Sequence, residues 1–236
     1  MDGVVKHLMN EVDTIWVYND GSTKDYSKIY DSLPKSIQIK HATKNKGVGA
    51  AKNWLMQQLI DEGCYAIFIG EDDIIPTSKM AIRGYVQASR KRGIAHMMFA
   101  HHGPVNVSGP NYSDEILETY PGCVGGWCFF LAPVLKEIGL HDEHFSNAYE
   151  HVELTWRHVK FGATTPFGAF ADATGSKKWL KEIPESIDNS SIRKTNDWVF
   201  KSLKSLEYWK QKDPEFPLQN TLDNLVAEMK KNGDYK

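Results

Sequence analysis

The sequence predicts an α/β protein with a mostly parallel sheet and helices on both faces. Two observations lead there. Short β-rich runs alternate with helical stretches through the first hundred residues. Each run is followed by a polar segment, namely NDGST, HATKNKG, GEDD and AHHGP. In open α/β sheets, ligands bind beyond the carboxyl ends of the strands, so these segments mark one shared edge.

Val4, Val5, Leu8 and Val12 recur at helical spacing. TIWVY (14–18) is a strand closed by the turn signal NDGS. Residues 24–33 read as a helix and SIQIK (36–40) as a strand. Residues 48–62, rich in Ala, Leu, Met and Gln, form a helix after NKG. YAIFI (65–69) is a buried strand, 77–92 a helix and IAHMMFA (94–100) a strand. The rhythm then loosens until GGWCFFLA (125–132), a short helix from 133 and an amphipathic helix near 149–161. PFGAFA (166–171) is a last strand, and 194–212 and 218–232 are closing helices around DPEFP. The aromatic residues Trp198, Phe200, Tyr208 and Trp209 read as core packing.

The 236 residues are 41% hydrophobic and 25% charged, with a net charge of −2. That balance argues against a nucleic-acid binder with a basic face. No run approaches a membrane span, and no signal peptide is visible. Cys64, Cys123 and Cys128 lack a CxxC spacing and read as reduced thiols, which predicts a cytoplasmic protein.

IFIGEDD places Glu71, Asp72 and Asp73 at the end of a buried strand. Three adjacent carboxylates suit either a solvated turn or a hard divalent cation. Alternation would aim Glu71 and Asp73 at one point and turn Asp72 away. NDGST is either an Asx-type turn or a place where Asp20 meets a ring N–H. NKGVGAAKN offers glycines for close backbone approach, with Lys46 and Lys52 beside them, but in neither a Walker nor a GxGxxG order. In YEHVELTWRHVKFG, Glu150 and His151 open an amphipathic helix and can hold a general base. His101 and His102 are weaker candidates as metal ligands.

NDGST, NKGVGAAKN, IFIGEDD, GGWCFFLAPVLKEIGLHDEHF and YEHVELTWRHVKFG, in this order, resemble the motifs of family-2 glycosyltransferases with the GT-A fold. The resemblance covers residues 3 to about 175. It implies a GT-A domain over 1–175, with a Rossmann-like sheet, and a C-terminal loop and helical extension over 176–236. It implies a donor site of Asp20, Gly21, Lys46, Lys52, Asp72, Gly125, Gly126 and Trp127, with Asp20 on the nucleobase. Glu71 and Asp73 match the outer positions of the Asp-x-Asp motif, which implies Mn²⁺ or Mg²⁺, with Asp73 the direct ligand. The implied reaction moves a sugar, with inversion, from a nucleotide-diphosphate donor, UDP-sugar favoured, to a glycan, lipid-linked or surface-polymer hydroxyl. A peripheral place at the inner membrane face is compatible with such acceptors.

Two departures stand out. The helix-start motif, commonly Glu-Asp, reads Glu150-His151 here, so the base is Glu150, the favoured choice, or His151. The family's first strand, with its donor-binding stretch, has no counterpart here, which implies a truncated chain or a start at an internal Met, with an unfilled position in the sheet unless the flanking strands close it. A nucleotidyltransferase, an inactive glycan- or nucleotide-sugar-binding relative, and a partial chain needing a partner domain are the rival readings. Past residue 175, DATGSKKWL and DNSSIRK read as a surface connection or a lid.

Overall fold

The computed structural model describes residues 2–103, 105–145, 148–183 and 197–217. In chain order, α1 (Asp2–Leu8) leads to β1 (Ile15–Asn19), α2 (Ser27–Asp31), β2 (Ile37–His41) and α3 (Val48–Asp61). Next come β3 (Ala66–Gly70), β4 (Ile74–Pro76), α4 (Met80–Arg92) and β5 (His96–Met98). A loop-rich stretch carries β6 (Tyr112–Ser113) and β7 (Leu117–Tyr120) to β8 (Trp127–Leu131), α5 (Ala132–Ile138) and α6 (Glu150–Lys160). The remaining elements are β9 (Phe170–Ala173), α7 (Ser176–Trp179), β10 (Leu180–Glu182) and α8 (Asp197–Lys212).

Local chemistry explains the helix ends. α4 carries Arg90, Lys91 and Arg92 in its last turn, where cations meet the negative end of the helix dipole. It stops at Gly93, whose φ of 67° is the left-handed conformation that a helix end uses.

The α/β class holds, and among the described residues the strands pair as β1–β2, β4–β10, β3–β8–β5 and β6–β7–β9. β1 and β2 run parallel, in the register Ile15↔Ile37. β8 runs antiparallel between β3 and β5, pairing Phe129 with both Phe68 and Met97. Hydrophobic runs mark WCFFL as a strand but do not encode its direction, so the parallel pairing expected from the βα rhythm is seen in β1–β2, while β3–β8–β5 is antiparallel. Among the described residues β1 pairs only with β2, and no ladder joins it to β3.

The three central strands are apolar on both faces, with period-two alternation. Phe68, Met97, Trp127 and Phe129 face one core with Tyr85 and Ala88 of α4. Ile67, Ile69, Met98, Cys128 and Phe130 face the other, with Met56 of α3 and Leu154 of α6. Trp127 belongs to the first core and is 5% exposed, its ring lying over Gly70. Trp127 and Phe129 are two residues apart and share a buried face.

DATGSKKWL is built into the fold as the end of β9, α7 and the start of β10, neither lid nor surface connection. β10 pairs antiparallel with β4, setting Glu182 opposite Ile74. DNSSIRK and the 218–232 helix fall outside the described residues, as do the Trp198 and Phe200 side chains. α8 closes a third cluster in which Phe145, Val152, Trp209 and Phe216 are buried. No helix among the described residues is long and apolar enough to cross a membrane.

Candidate active site

The site gathers at the carboxyl end of β3, where α3, α6 and the strand ends meet. Glu71 extends the strand, its N–H donating to the Gly126 carbonyl at 2.8 Å. Alternation then turns Asp72 outward, where it is exposed, and returns Asp73 inward. Glu71, Asp73 and His102 each offer a ligand atom, all within 4.8 Å of one another. His102 enters from the loop after β5, whereas its neighbour His101 turns away to the Tyr120 hydroxyl at 3.1 Å.

Burial raises the Asp73 pKa; His102 opposes it, and the carboxylates of Glu71, Asp72 and Glu182 add to the rise. Asp73 Oδ1 and His102 Nδ1 are both buried without a hydrogen-bond partner. Nδ1 lies 3.2 Å from Glu182 Oε1 but is not aligned to donate to it. Two carboxylates and an imidazole, with the buried Asp73 Oδ1 left without a partner, are a donor set that fits a divalent cation.

Lys52, on α3, is 6% exposed. Its Nζ donates to Glu71 Oε1 at 2.6 Å and to the Gly125 carbonyl at 3.1 Å, and lies 4.0 Å from Glu150 Oε1. Burial alone would push its pKa down, but Glu71 and Glu150 outweigh that and raise it. Lys52, the sequence candidate for a donor phosphate or base, joins the acidic strand end to the start of α6. The spacing does this: Gly49 and Lys52 share one helical face, and a side chain at Gly49 would meet Glu150 Cβ at 3.8 Å.

Glu150 and His151 follow Tyr149, whose φ of 65° makes it the one non-glycine residue in the left-handed region among those described. Such backbone is costly and persists only where surroundings hold it. Glu150 is 5% exposed, and its Oε1 lies 3.4 Å from His151 Nδ1. Burial pushes its pKa up, but His151, Lys52 and His141 together bring it down to about 2. The side chain of His151 is 25% exposed and remains open to a ligand.

Gly125 and Gly126 lie between two imidazoles. A Cβ at Gly125 would stand 2.9 Å from His151 Cγ, and one at Gly126 would stand 2.9 Å from His102 Cγ. The glycines expected to line the donor pocket thus let the His102 and His151 rings close on the backbone.

The Asp20 carboxylate accepts from the backbone N–H of Lys46 at 2.9 Å and of Gly47 at 2.8 Å. Gly21 (φ 69°) lets its loop close on residues 44–45, where a Cβ would meet Asn45 N at 2.5 Å. The segments after β1 and β2 are therefore clipped together, with the Lys46 side chain exposed at the rim.

Residues 2–139 match the family model described as glycosyl transferase family 2. The chain belongs to glycosyl transferase family 2. A curated relative, an uncharacterized glycosyltransferase of Acanthamoeba polyphaga mimivirus, is 23% identical over 193 residues, covering 80% of this chain and 74% of that protein. Among solved structures, GalNAc-T7 with UDP, GalNAc and Mn²⁺ superposes with a TM-score of 0.54 at 13% identity, covering 68% of this chain. S. aureus TarS (1–349) gives a TM-score of 0.47 at 12% identity over 81% of this chain. The chain spans 37% and 58% of the lengths of those two solved chains. The likeness to GalNAc-T7 shows the GT-A fold.

Two residues of this candidate site are missed or underweighted in the sequence. His102 was a weak candidate because a His-His pair at a strand end has many explanations; only its meeting with Glu71 and Asp73 distinguishes it from His101. Glu182 had no local signal. The β4–β10 ladder brings it beside the acidic turn, and its Oε2 accepts from the Gly103 N–H at 2.9 Å.

Proposed function

We propose that this chain is a metal-dependent, inverting glycosyltransferase that moves a sugar from a nucleoside-diphosphate donor, UDP-sugar favoured, to an acceptor hydroxyl. The observation that carries the reading is the buried Lys52, which joins the cation-fitting acids to the helix-start pair through Glu71 and Glu150. The Mn²⁺ and UDP in the GalNAc-T7 structure support the choice of ion and nucleotide.

Glu71 and Asp73 would hold Mn²⁺ or Mg²⁺. When bound, such an ion offsets charge building on a departing diphosphate. Asp20 keeps the nucleotide end of the site in shape by fixing the loop at 46–47. The acceptor is a glycan, lipid-linked or surface-polymer hydroxyl.

The base is better read as His151 than as Glu150, the choice first favoured. A carboxylate held at about 2 binds a proton poorly at neutral pH, and Glu150 is buried. An imidazole is a competent base near neutrality. Glu150 Oε1 near His151 Nδ1 orients the ring and stabilises the imidazolium that proton transfer creates.

Release of the nucleoside diphosphate from a panel of nucleotide sugars, with Mn²⁺ and with or without glycan acceptors, tests the reading. Asp73→Ala should abolish turnover, and His151→Ala should lower transfer by about a hundredfold or more. Absence of metal-dependent turnover for every donor would leave a donor-binding relative, recognisable by a thermal shift with UDP and Mn²⁺.

A further inference from the structure

We propose that His102 is a third protein ligand of the divalent cation, and that Glu182 of β10 positions its ring, so that the site favours Mn²⁺ over Mg²⁺. The proposal rests on the reading of Glu71 and Asp73 as cation ligands.

Geometry supports it from three directions. The ligand atoms of the three residues lie within 4.8 Å of one another, which one ion can span. His102 is pressed against the Gly126 backbone, with no room for a Cβ there, so its ring has little freedom to leave. Glu182 is anchored at Gly103 N through Oε2, while Oε1 stands 3.2 Å from His102 Nδ1. A carboxylate behind a ligating imidazole fixes ring orientation and raises ligand basicity.

The chemistry gives the preference. Mg²⁺ favours an all-oxygen shell and parts reluctantly with its water. An imidazole nitrogen suits first-row transition ions better, so one nitrogen among carboxylates separates the two cations. The two positioning features, Gly126 just before β8 and Glu182 on β10, are far apart in sequence and meet at this ring.

The test uses the full chain with Mn²⁺ alone, and in a second series Mn²⁺ with UDP. Free Mn²⁺ is followed by its EPR signal, Mg²⁺ is measured by competition, and pulsed EPR reads nitrogen coupling to bound Mn²⁺. The native protein should show imidazole coupling and bind Mn²⁺ at least about tenfold more tightly than Mg²⁺. His102→Ala should lose the coupling and about tenfold or more in Mn²⁺ affinity, with a smaller loss for Mg²⁺. Glu182→Gln should keep the coupling but weaken Mn²⁺ binding by about tenfold, and Glu182→Asp should recover part of it. Thermal unfolding without metal identifies any variant that fails to fold, and the native coupling needs no variant.

Native protein that binds Mn²⁺ without nitrogen coupling overturns the proposal. So does a His102→Ala protein that keeps coupling and affinity. If Asp73→Ala binds Mn²⁺ as tightly as the native chain, or the native chain binds none in either series, the underlying assignment of the acids falls as well. Loss of binding in Asp73→Ala with an unchanged His102→Ala removes only the third ligand.

Discussion

The Lys52 ammonium lies 2.6 Å from the Glu71 carboxylate, with the Lys52 side chain only 7% exposed. This ion pair sits between the acidic strand end and the start of α6, so both halves of the site depend on it. Lys52→Met keeps the bulk but leaves Glu71 and Glu150 facing each other without a cation. It should destabilise the fold by about 3–5 kcal/mol in urea unfolding. Adding Glu71→Gln to Lys52→Met should recover part of that loss, and a double-mutant cycle would measure the coupling.

The glycine pair gives a second test. Gly125→Ala forces a methyl against the His151 ring, and Gly126→Ala forces one against His102. Each should cost about 1–3 kcal/mol of stability through overpacking. Their functional signatures should differ: Gly125→Ala should lower transfer with Mn²⁺ binding intact, whereas Gly126→Ala should weaken Mn²⁺ binding. Equal metal affinity in the two variants would show that the rings do not divide the work this way.

Stability should fall in acid partly through His96. The ring is 3% exposed, stacked on Phe130 at 4.5 Å and bonded to Thr155 and the Phe129 carbonyl. Burial pushes its pKa down from 6.5 to about 4, against a smaller rise from the Phe129 carbonyl. Because the folded value is depressed, the unfolded chain takes up the proton first. The contribution of neutral His96 is therefore intact above about pH 6.5 and declines as pH falls toward 4. Its full size is about 3 kcal/mol. Urea midpoints between neutral pH and pH ~4.5 should show a slope that His96→Gln makes shallower by up to about 1.4 kcal/mol per pH unit. An unchanged slope would mean that His96 is reached by solvent.

Trp209 of α8 is fully buried and stacks on Phe216, with Phe145 and Tyr149 at its edges. Trp209→Ala should cost about 3–5 kcal/mol. Because Tyr149 sets the entry to α6, the variant should also lose transfer at temperatures where it stays folded. Lys212 reinforces the same docking, reaching Asp142 at 2.6 Å and Glu153 at 2.9 Å. Full activity in folded Trp209→Ala would confine α8 to a stabilising role.

Much of this protein was legible in local sequence because the signals are local. Alternation along YAIFI and the turn after it placed Glu71 and Asp73 on one side and Asp72 on the other. The amphipathic pattern near residues 149–161 predicted α6, with Glu150 and His151 at its start. The aromatic residues Tyr208 and Trp209 were read as packing, and Trp209 is indeed buried against Phe145 and Phe216.

Contacts between distant segments decided the rest. No sequence window encodes the direction of β8, so its antiparallel insertion and the burial of Trp127 appear only in the sheet. A lysine among glycines is ambiguous until the carboxylates it faces are known; Glu71 lies just after β3 and Glu150 opens α6, and they turn Lys52 inward. Glu182 reaches the acidic turn only through the β4–β10 ladder, and His102 is distinguished from His101 only by the acids it meets. Secondary structure follows short-range periodicity and propensity, while the charge and donor balance of the site depends on which strand ends and loops the tertiary fold brings together.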